Sequence, residues 1–234
     1  MNLNRIFIAL ALSLACVVSA FAQGREYVVK VNEFTELDVD NNIAVDYFCN
    51  ADSAGMAVVS HTDHPEWYFF SNNGKGKLTV QTSADCPAGI AMPKVRLYST
   101  TLYKVVNSGD SLVKIHDIPM VDEFQAKLIG NGRLVAHGVD AVKVNASIDS
   151  GNGQLVISGE CESANLRNIG TGTIQADELV AKSVKASVLG TGSIGCDPHG
   201  ELTVSGMGSG TVYYRTTPKK VKNRGVGVKY KPFE

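Results

Sequence analysis

The sequence has few of the features that accompany nucleic-acid binding, membrane insertion or cofactor chemistry. Its 22 basic and 23 acidic residues nearly cancel, so no strong attraction to nucleic acid or to an anionic membrane is expected. Aromatic residues make up only 7% of the chain, and residues 27–106 show no convincing helical periodicity. Many glycines (23) beside so few aromatic residues favour short strands and turns over helices.

The N-terminus has the pattern of an export signal. Arg5 precedes an apolar run over residues 6–20, and Ala20-Phe21-Ala22 supplies the small-x-small pattern of a cleavage site. The run is too short for a stable membrane anchor. Lipid attachment at Cys16 is disfavoured, because Ser13 stands where such sites usually have leucine. We predict a signal peptide over residues 1–22, export to the periplasm or the cell surface, and no integral membrane segment in the mature chain.

Cysteine usage fits an oxidising compartment without indicating a metal site. Four cysteines remain after export, and none has the C-x-x-C spacing of a zinc site. Four cysteines allow two disulfides in three pairings, and free buried thiols are the alternative. We expect neighbours in sequence to pair, joining Cys49 to Cys86 and Cys161 to Cys196.

Residues 23–106 predict an N-terminal β-strand region. In "EFTELDVDNNIAVDYF" apolar residues recur near a period of two around the turn "DNN". Further along, "NNGKG" separates two strand-like runs, as a hairpin connection does. Whether this region forms a separate domain stays open at this point.

Residues 107–234 contain a glycine repeat and a basic C-terminal cap. The pattern Gly-x-Gly-x-aliphatic occurs five times, with first glycines 21, 19, 20 and 18 residues apart, and residues 109 and 225 begin degenerate end copies. A period near 20 with atypical end copies indicates a stacked solenoid. The glycines concerned are Gly130, Gly132, Gly151, Gly153, Gly170, Gly172, Gly190, Gly192, Gly208 and Gly210.

Stacking explains why glycine recurs. Successive turns of a β-solenoid lie only about 4.8 Å apart, so equivalent residues lie directly over one another. A side chain at a repeated tight bend would collide with the copy above, whereas glycine has no Cβ and tolerates positive φ. We predict a glycine column, with the apolar set ahead of Gly151 displaced by one residue through a β-bulge.

The same repeat argues against a nucleotide site. "GTGSIG" at residues 190–195 matches the dinucleotide fingerprint, but the fingerprint requires a helix next, and the strand-like "CDPHGELTV" follows instead. No G-K-[ST] sequence follows any glycine pair. Calcium-binding glycine repeats carry aspartate at a position that holds Arg, Gln, Thr or Ser here. We therefore predict no cofactor and no metal.

These features together resemble a known family. The "FTELDV…IAVDY" opening, the repeated "GTG[TS]I" and the closing "GSGTVYY…GVGVKY" are similar to the putative auto-transporter adhesin, head GIN domain family, over roughly residues 34–228. The family is a set of exported proteins common in Bacteroidetes. The resemblance implies an all-β fold, a right-handed parallel β-helix like that of pectin lyases, with stacked glycine bulges. It also implies a role in adhesion and no shared catalytic residues.

Two segments outside the repeat stand out. In "HTDHPEWYFF" (residues 61–70), His61, Asp63 and His64 are too few for a zinc site. Trp67 and Tyr68 there could form a sugar-stacking platform, although a core cluster is the commoner outcome for such a run. The segment "TPKKVKNRGVGVKYK" predicts a polar cap on the last turn; a patch for an acidic glycan is the alternative.

The leading functional hypothesis is a non-enzymatic envelope protein that binds an envelope or host glycan or protein through stacked polar ladders. A β-helix enzyme acting on polysaccharide is the first alternative, although no cluster of acidic residues with basic partners is evident in the sequence. A structural solenoid that assembles end to end is the second. The sequence does not set the oligomeric state.

Overall fold

A computed structural model describes residues 26–60 and 62–233 of the chain. The predicted signal peptide (residues 1–22) lies outside the described residues. Within them the protein is almost entirely β-structure, with one short 3₁₀ turn at Pro65–Trp67 and no α-helix. A parallel β-solenoid of about six turns dominates the fold, which confirms the predicted fold class.

Five long strands form the centre of the solenoid, and each makes almost one full turn, here called a rung. They pair in parallel and in sequence order, each with the next. Their 16 to 18 residues bend once near the middle, where the register shifts. These strands are β9 (Leu112–Ile129), β10 (Arg133–Ser150), β11 (Gln154–Gly170), β12 (Thr173–Gly190) and β13 (Ser193–Gly208).

Eight short strands precede them: β1 (Tyr27–Lys30), β2 (Glu36–Val39), β3 (Val45–Cys49), β4 (Met56–Val59), β5 (Tyr68–Asn72), β6 (Lys77–Thr82), β7 (Val95–Ser99) and β8 (Lys104–Asn107). β3 lies on the first half of β9, and β8 lies on the second half. The N-terminal region therefore continues the solenoid.

The N-terminal rungs are out of sequence order. Over the first half of β9 the spatial order is β9, β3, β7, and over the second half it is β9, β8, β2, β6. The rung made of β2 and β3 therefore lies between the rung made of β6 and β7 and the rung made of β8 and β9. Antiparallel strands complete this end, with β4 on β7, β1 on β4 and β5 on β6.

Three short strands complete the C-terminal end: β14 (Thr211–Tyr214), β15 (Lys220–Asn223) and β16 (Lys229–Pro232). β14 pairs with the first half of β13, β16 pairs with β14, and β15 pairs with the second half of β13.

Aliphatic columns fill the interior because equivalent positions of successive rungs stack in register. One column runs through seven fully buried residues, namely Val45, Val113, Leu134, Leu155, Ile174, Ile194 and Val212. The buried core is continuous from Val31 to Val228. The one-residue bulge predicted ahead of Gly151 is confirmed: Ile148 pairs with Leu128, and Ser150 pairs with Ile129, so Asp149 is extra.

Candidate functional site

The repeat glycines meet at one corner of the solenoid. Gly170 pairs in register with Gly190, and Gly190 pairs with Gly208. A Cβ built on Gly190 would lie 2.5 Å from the carbonyl oxygen of Gly170, and one on Gly192 would lie 2.6 Å from that of Gly172. Gly170, Gly190 and Gly208 have φ between 123° and 130°, where other residues are strained. Close backbone contact and positive φ therefore both require glycine here.

Exposed polar side chains follow this corner from rung to rung. The residue between the two glycines of each copy is exposed, and in the first three copies its side chain takes part in hydrogen bonds between neighbouring rungs. The Asn152 amide donates to Asn131 Oδ1 at 3.1 Å, and Thr171 Oγ1 donates to Asn152 Oδ1 at 3.3 Å. We call this row the polar ladder; it comprises Asn131, Asn152, Thr171, Thr191 and Ser209.

An aliphatic row lies beside the polar ladder. The residues before the first glycine of three successive copies, Ile169, Leu189 and Met207, pair in register, and Met207 forms a parallel bridge with Val226, which precedes Gly227. Met207 and Val226 are 66% and 69% exposed, although both are apolar. We call these four residues the aliphatic stripe. Its signal in the sequence is an apolar residue directly ahead of the first glycine in four of the five copies, a position that the Gly-x-Gly-x-aliphatic pattern does not include.

The sugar-stacking platform considered for Trp67 and Tyr68 does not form, and Tyr68 is a core residue, the commoner outcome for such a run. Tyr68 is only 7% exposed, and its hydroxyl donates to the Pro93 carbonyl at 2.8 Å. Burial raises the pKa of this phenol. Trp67 instead stacks on the His64 ring, with centroids 3.9 Å apart. Consecutive residues entering a strand face opposite sides, so Trp67 and Tyr68 do not present their rings on one surface.

Neither predicted disulfide is present: the four cysteines within the described part of the chain are free thiols. Cys161 lies at the bend of its rung, in register with Ala181, whereas Cys196 pairs with Ala176 in the first half of a rung. These places are two rungs apart and on different parts of the turn. Burial raises the pKa of Cys161 to about 11. Burial, together with the negative charges of Asp197 and Asp177, raises the pKa of Cys196 to about 12.

The other two thiols also have local partners. Cys49 Sγ donates to the Thr100 carbonyl at 2.8 Å, whereas Cys86 Sγ lies 3.7 Å from Met92 Sδ. Burial also raises the pKa of Cys49. The expected pairing of Cys49 with Cys86 therefore differs from the structure, in which each sulfur contacts groups of its own neighbourhood.

The described residues contain no group of three or more His, Cys, Asp or Glu that could hold a metal ion. His61, part of the histidine segment, lies outside them, and His64 Nδ1 lies 2.9 Å from Glu66 Oε1. One histidine–aspartate pair is present, His199 Nε2 with Asp197 Oδ2 at 3.2 Å. The second oxygen of Asp197 accepts the Thr216 amide at 3.0 Å, so this carboxylate holds the C-terminal segment in place.

Residues 26–60 and 62–233 include no helix with the length and apolar character needed to cross a bilayer.

Comparison with solved structures identifies relatives of the same fold. A putative adhesin from Bacteroides fragilis NCTC 9343 is 21% identical with a TM-score of 0.75, covering 89% of this chain and 96% of that one. A putative lipid binding protein from Parabacteroides distasonis ATCC 8503 is 16% identical with a TM-score of 0.63, covering 88% and 96%. A putative adhesin from Parabacteroides merdae ATCC 43184 is 19% identical with a TM-score of 0.60, covering 88% and 95%.

A comparison with curated proteins gave no match. A family model described as "Putative auto-transporter adhesin, head GIN domain" matches residues 33–218, most of the chain. This match confirms the resemblance inferred from the glycine repeats, and the chain belongs to the putative auto-transporter adhesin, head GIN domain family.

Proposed function

We propose that this protein is a non-enzymatic, exported envelope protein that binds an extended glycan or protein ligand along the glycine corner. The observation that carries the proposal is the pairing of the polar ladder with the aliphatic stripe. Hydroxyl and amide groups recur beside exposed aliphatic groups at the spacing of the rungs, about 4.8 Å. A linear polymer with repeated polar and apolar groups can match such a surface over several rungs.

Membership of an adhesin family and the fold shared with proteins named as adhesins support a binding role. Repetition of weak contacts raises the overall affinity, because after one group of a polymer has bound, binding of the next group is an intramolecular event. Three or four rungs can therefore give useful affinity even when each hydrogen bond contributes only about 1 kcal/mol.

A glycan array and a panel of extracellular-matrix proteins, probed with the chain from residue 23 onward, test the proposal. The paired variant Thr171→Val with Thr191→Val removes two ladder hydroxyls and keeps the side-chain shape. We expect binding to fall roughly 30-fold, since two hydrogen bonds of about 1 kcal/mol each are lost. Thr203→Val on β13, outside the ladder, is the matched control. Unchanged binding by the ladder variant would contradict the proposal.

Incubation with the same glycans tests the enzymatic alternative. We expect no release of reducing or unsaturated ends. Sustained release by the chain, with binding unaffected in the ladder variant, would favour the β-helix enzyme instead.

Lipid binding is a second candidate, favoured by the exposure of Met207 and Val226 in the aliphatic stripe. One structural relative is named as a putative lipid binding protein. Co-sedimentation with phosphatidylcholine vesicles distinguishes the two: Met207→Asp should abolish lipid binding, whereas the ladder variant should leave it intact.

A further inference from the structure

A groove runs along the bend of the long strands, away from the glycine corner. Two adjoining cavities of about 510 and 230 Å³ meet at Met120, which is 72% exposed. Tyr103 and Val142 add exposed apolar surface. We call this the bend groove, defined by Tyr103, Met120, Val142, Asp122, Asp140 and Glu160.

The bend groove contains both paired and unpaired carboxylates. Some of the acids that line the two cavities are neutralised by a lysine one rung away, as in Glu123 with Lys143 at 3.3 Å and Glu162 with Lys182 at 2.5 Å. Asp122, Asp140 and Glu160 take part in none of the ion pairs found among the described residues. Asp140 and Glu160 are moreover register partners on β10 and β11, an arrangement that costs stability. The groove therefore combines apolar surface with uncompensated negative charge.

The C-terminal end of the same chain has the complementary character. The last 20 residues hold seven of the 22 basic residues and one of the 23 acidic residues, in a chain of formal charge −1. Lys222 pairs with Glu201 at 2.6 Å. Lys219, Lys220, Arg224 and Lys229 join no ion pair within residues 26–60 and 62–233. We call Lys219 to Phe233 the basic end.

Apolar groups lie among these cations because the solenoid stops there. Val221 lies over Leu202 and Tyr230 over Val212, each at the end of a core column. No further rung covers them within the described chain, and Tyr230 remains 41% exposed. The alternation Lys-Val-Lys in β15 and Lys-Tyr-Lys in β16 thus offers cationic and apolar groups together.

We propose that the bend groove of one copy receives the basic end of a second copy. Opposite charge and exposed apolar groups on both surfaces favour this contact over a contact of either surface with itself, in which like charges would meet. The two surfaces differ, so the contact is heterologous and leaves one groove and one basic end free in every assembly that does not close into a ring. The groove is short, so a weak association that depends on salt is expected.

Sedimentation velocity of the chain from residue 23 onward tests the proposal. In roughly 50 mM NaCl, where charges interact over more than about 10 Å, the weight-average mass should rise with protein concentration. In roughly 500 mM NaCl it should fall to that of the monomer, because screening removes the electrostatic part. A monomer at every concentration in low salt would overturn the proposal.

Two charge-reversed variants locate the contact. The groove variant carries Asp122→Lys and Glu160→Lys, and the end variant carries Lys219→Glu and Lys229→Glu. Each should remain monomeric alone. An equimolar mixture should associate again, because the intact basic end of the groove variant meets the intact groove of the end variant and the two reversed surfaces are also complementary in charge. A mixture that stays monomeric would overturn the proposal.

Matched controls reverse charges elsewhere on the surface. Asp52→Lys and Lys75→Glu alter exposed residues in loops distant in sequence from both surfaces, and both should associate as the unmodified chain does. Loss of association in these controls would attribute the effect to overall charge and overturn the assigned contact.

A labelled peptide of residues 217–233 keeps the test independent of variant folding. It should bind the unmodified chain and bind the groove variant roughly tenfold or more weakly, as expected where like charges are brought together. A scrambled peptide of the same composition tests whether the groove recognises the basic end of a second copy or binds any cationic peptide equally well. Equal binding of both peptides would overturn the proposed occupant. Glycan or lipid binding at the glycine corner is measured separately, so either proposal can fail without the other.

Discussion

Single residues matter most at the glycine corner, where the backbones of adjacent rungs touch. Glycine at these positions satisfies two demands at once, close contact with the carbonyl of the previous rung and φ above +100° at the first glycine of most copies. The second demand could be met by a strained residue at a cost of about 1–3 kcal/mol. The first cannot be met by any residue with a Cβ unless the rungs move apart.

Gly190→Ala should therefore lower the free energy of unfolding by roughly 2–6 kcal/mol, the sum of backbone strain and overpacking. Urea denaturation measures the loss. Gly74→Ala in the β5–β6 hairpin is the control, because its φ is also positive (69°) but an added Cβ would meet nothing within 4 Å. Equal losses in the two variants would show that strain alone, and not contact between rungs, selects glycine.

Strand elements are held to one another by more than the ladders of backbone hydrogen bonds. Asn168 lies fully buried in β11, in a core column whose neighbour in β12 is Val188. Its Nδ2 donates to the Gly172 carbonyl at 2.7 Å and to the Ser193 carbonyl at 3.1 Å. Asn107 bonds the carbonyls of Ser111 and Arg133 in the same manner. These asparagines donate hydrogen bonds to backbone carbonyls at the glycine corner and so connect one rung to another.

Replacing Asn168 by alanine should destabilise the protein by roughly 2 kcal/mol, because the two hydrogen bonds that Nδ2 donates to backbone carbonyls inside the fold are lost. Asn165→Ala offers the same substitution on the outer surface, where Nδ2 donates to Asn145 Oδ1 at 2.9 Å. We expect a loss below about 1 kcal/mol there, since water replaces the lost partner. Thermal unfolding monitored by circular dichroism measures both, and a milder effect at Asn168 than at Asn165 would contradict this role.

The molecule as a whole is held together by one core that crosses the predicted boundary between residues 106 and 107. β3 and β8 pair directly with β9, and the buried cluster continues from Val31 to Val228. Solenoids are stabilised by contacts between neighbouring rungs, so cooperativity depends on how strongly each pair of rungs is coupled.

We expect residues 26–233 to unfold in one transition. The chain has a single tryptophan, Trp67, whose fluorescence reports on the N-terminal region, whereas circular dichroism reports mainly on the long strands. The two urea transitions should coincide, as they do for a two-state system. An earlier fluorescence transition would show instead that the N-terminal region unfolds by itself, as a separate domain would.

The sequence was sufficient to predict the solenoid, its period and the bulge ahead of Gly151. Each is a consequence of stacking: a constraint that acts between neighbouring rungs is repeated in every copy and becomes visible as periodicity. The family resemblance rested on the same repeated residues.

Other features were decided by the tertiary structure. The placement of the β2–β3 rung between later rungs depends on contacts between segments far apart in sequence, which no local pattern records. Burial and disulfide pairing depend on which rung and which face a residue occupies. The local sequence therefore did not determine that Tyr68 lies in the core or that Cys49, Cys86, Cys161 and Cys196 form no disulfide. The bend groove likewise exists only because Tyr103, Asp122, Asp140 and Glu160, on separate rungs or loops, are brought to one side of the fold. A constraint between neighbouring rungs recurs in every copy and is visible in the local sequence, whereas a surface assembled from many rungs is not.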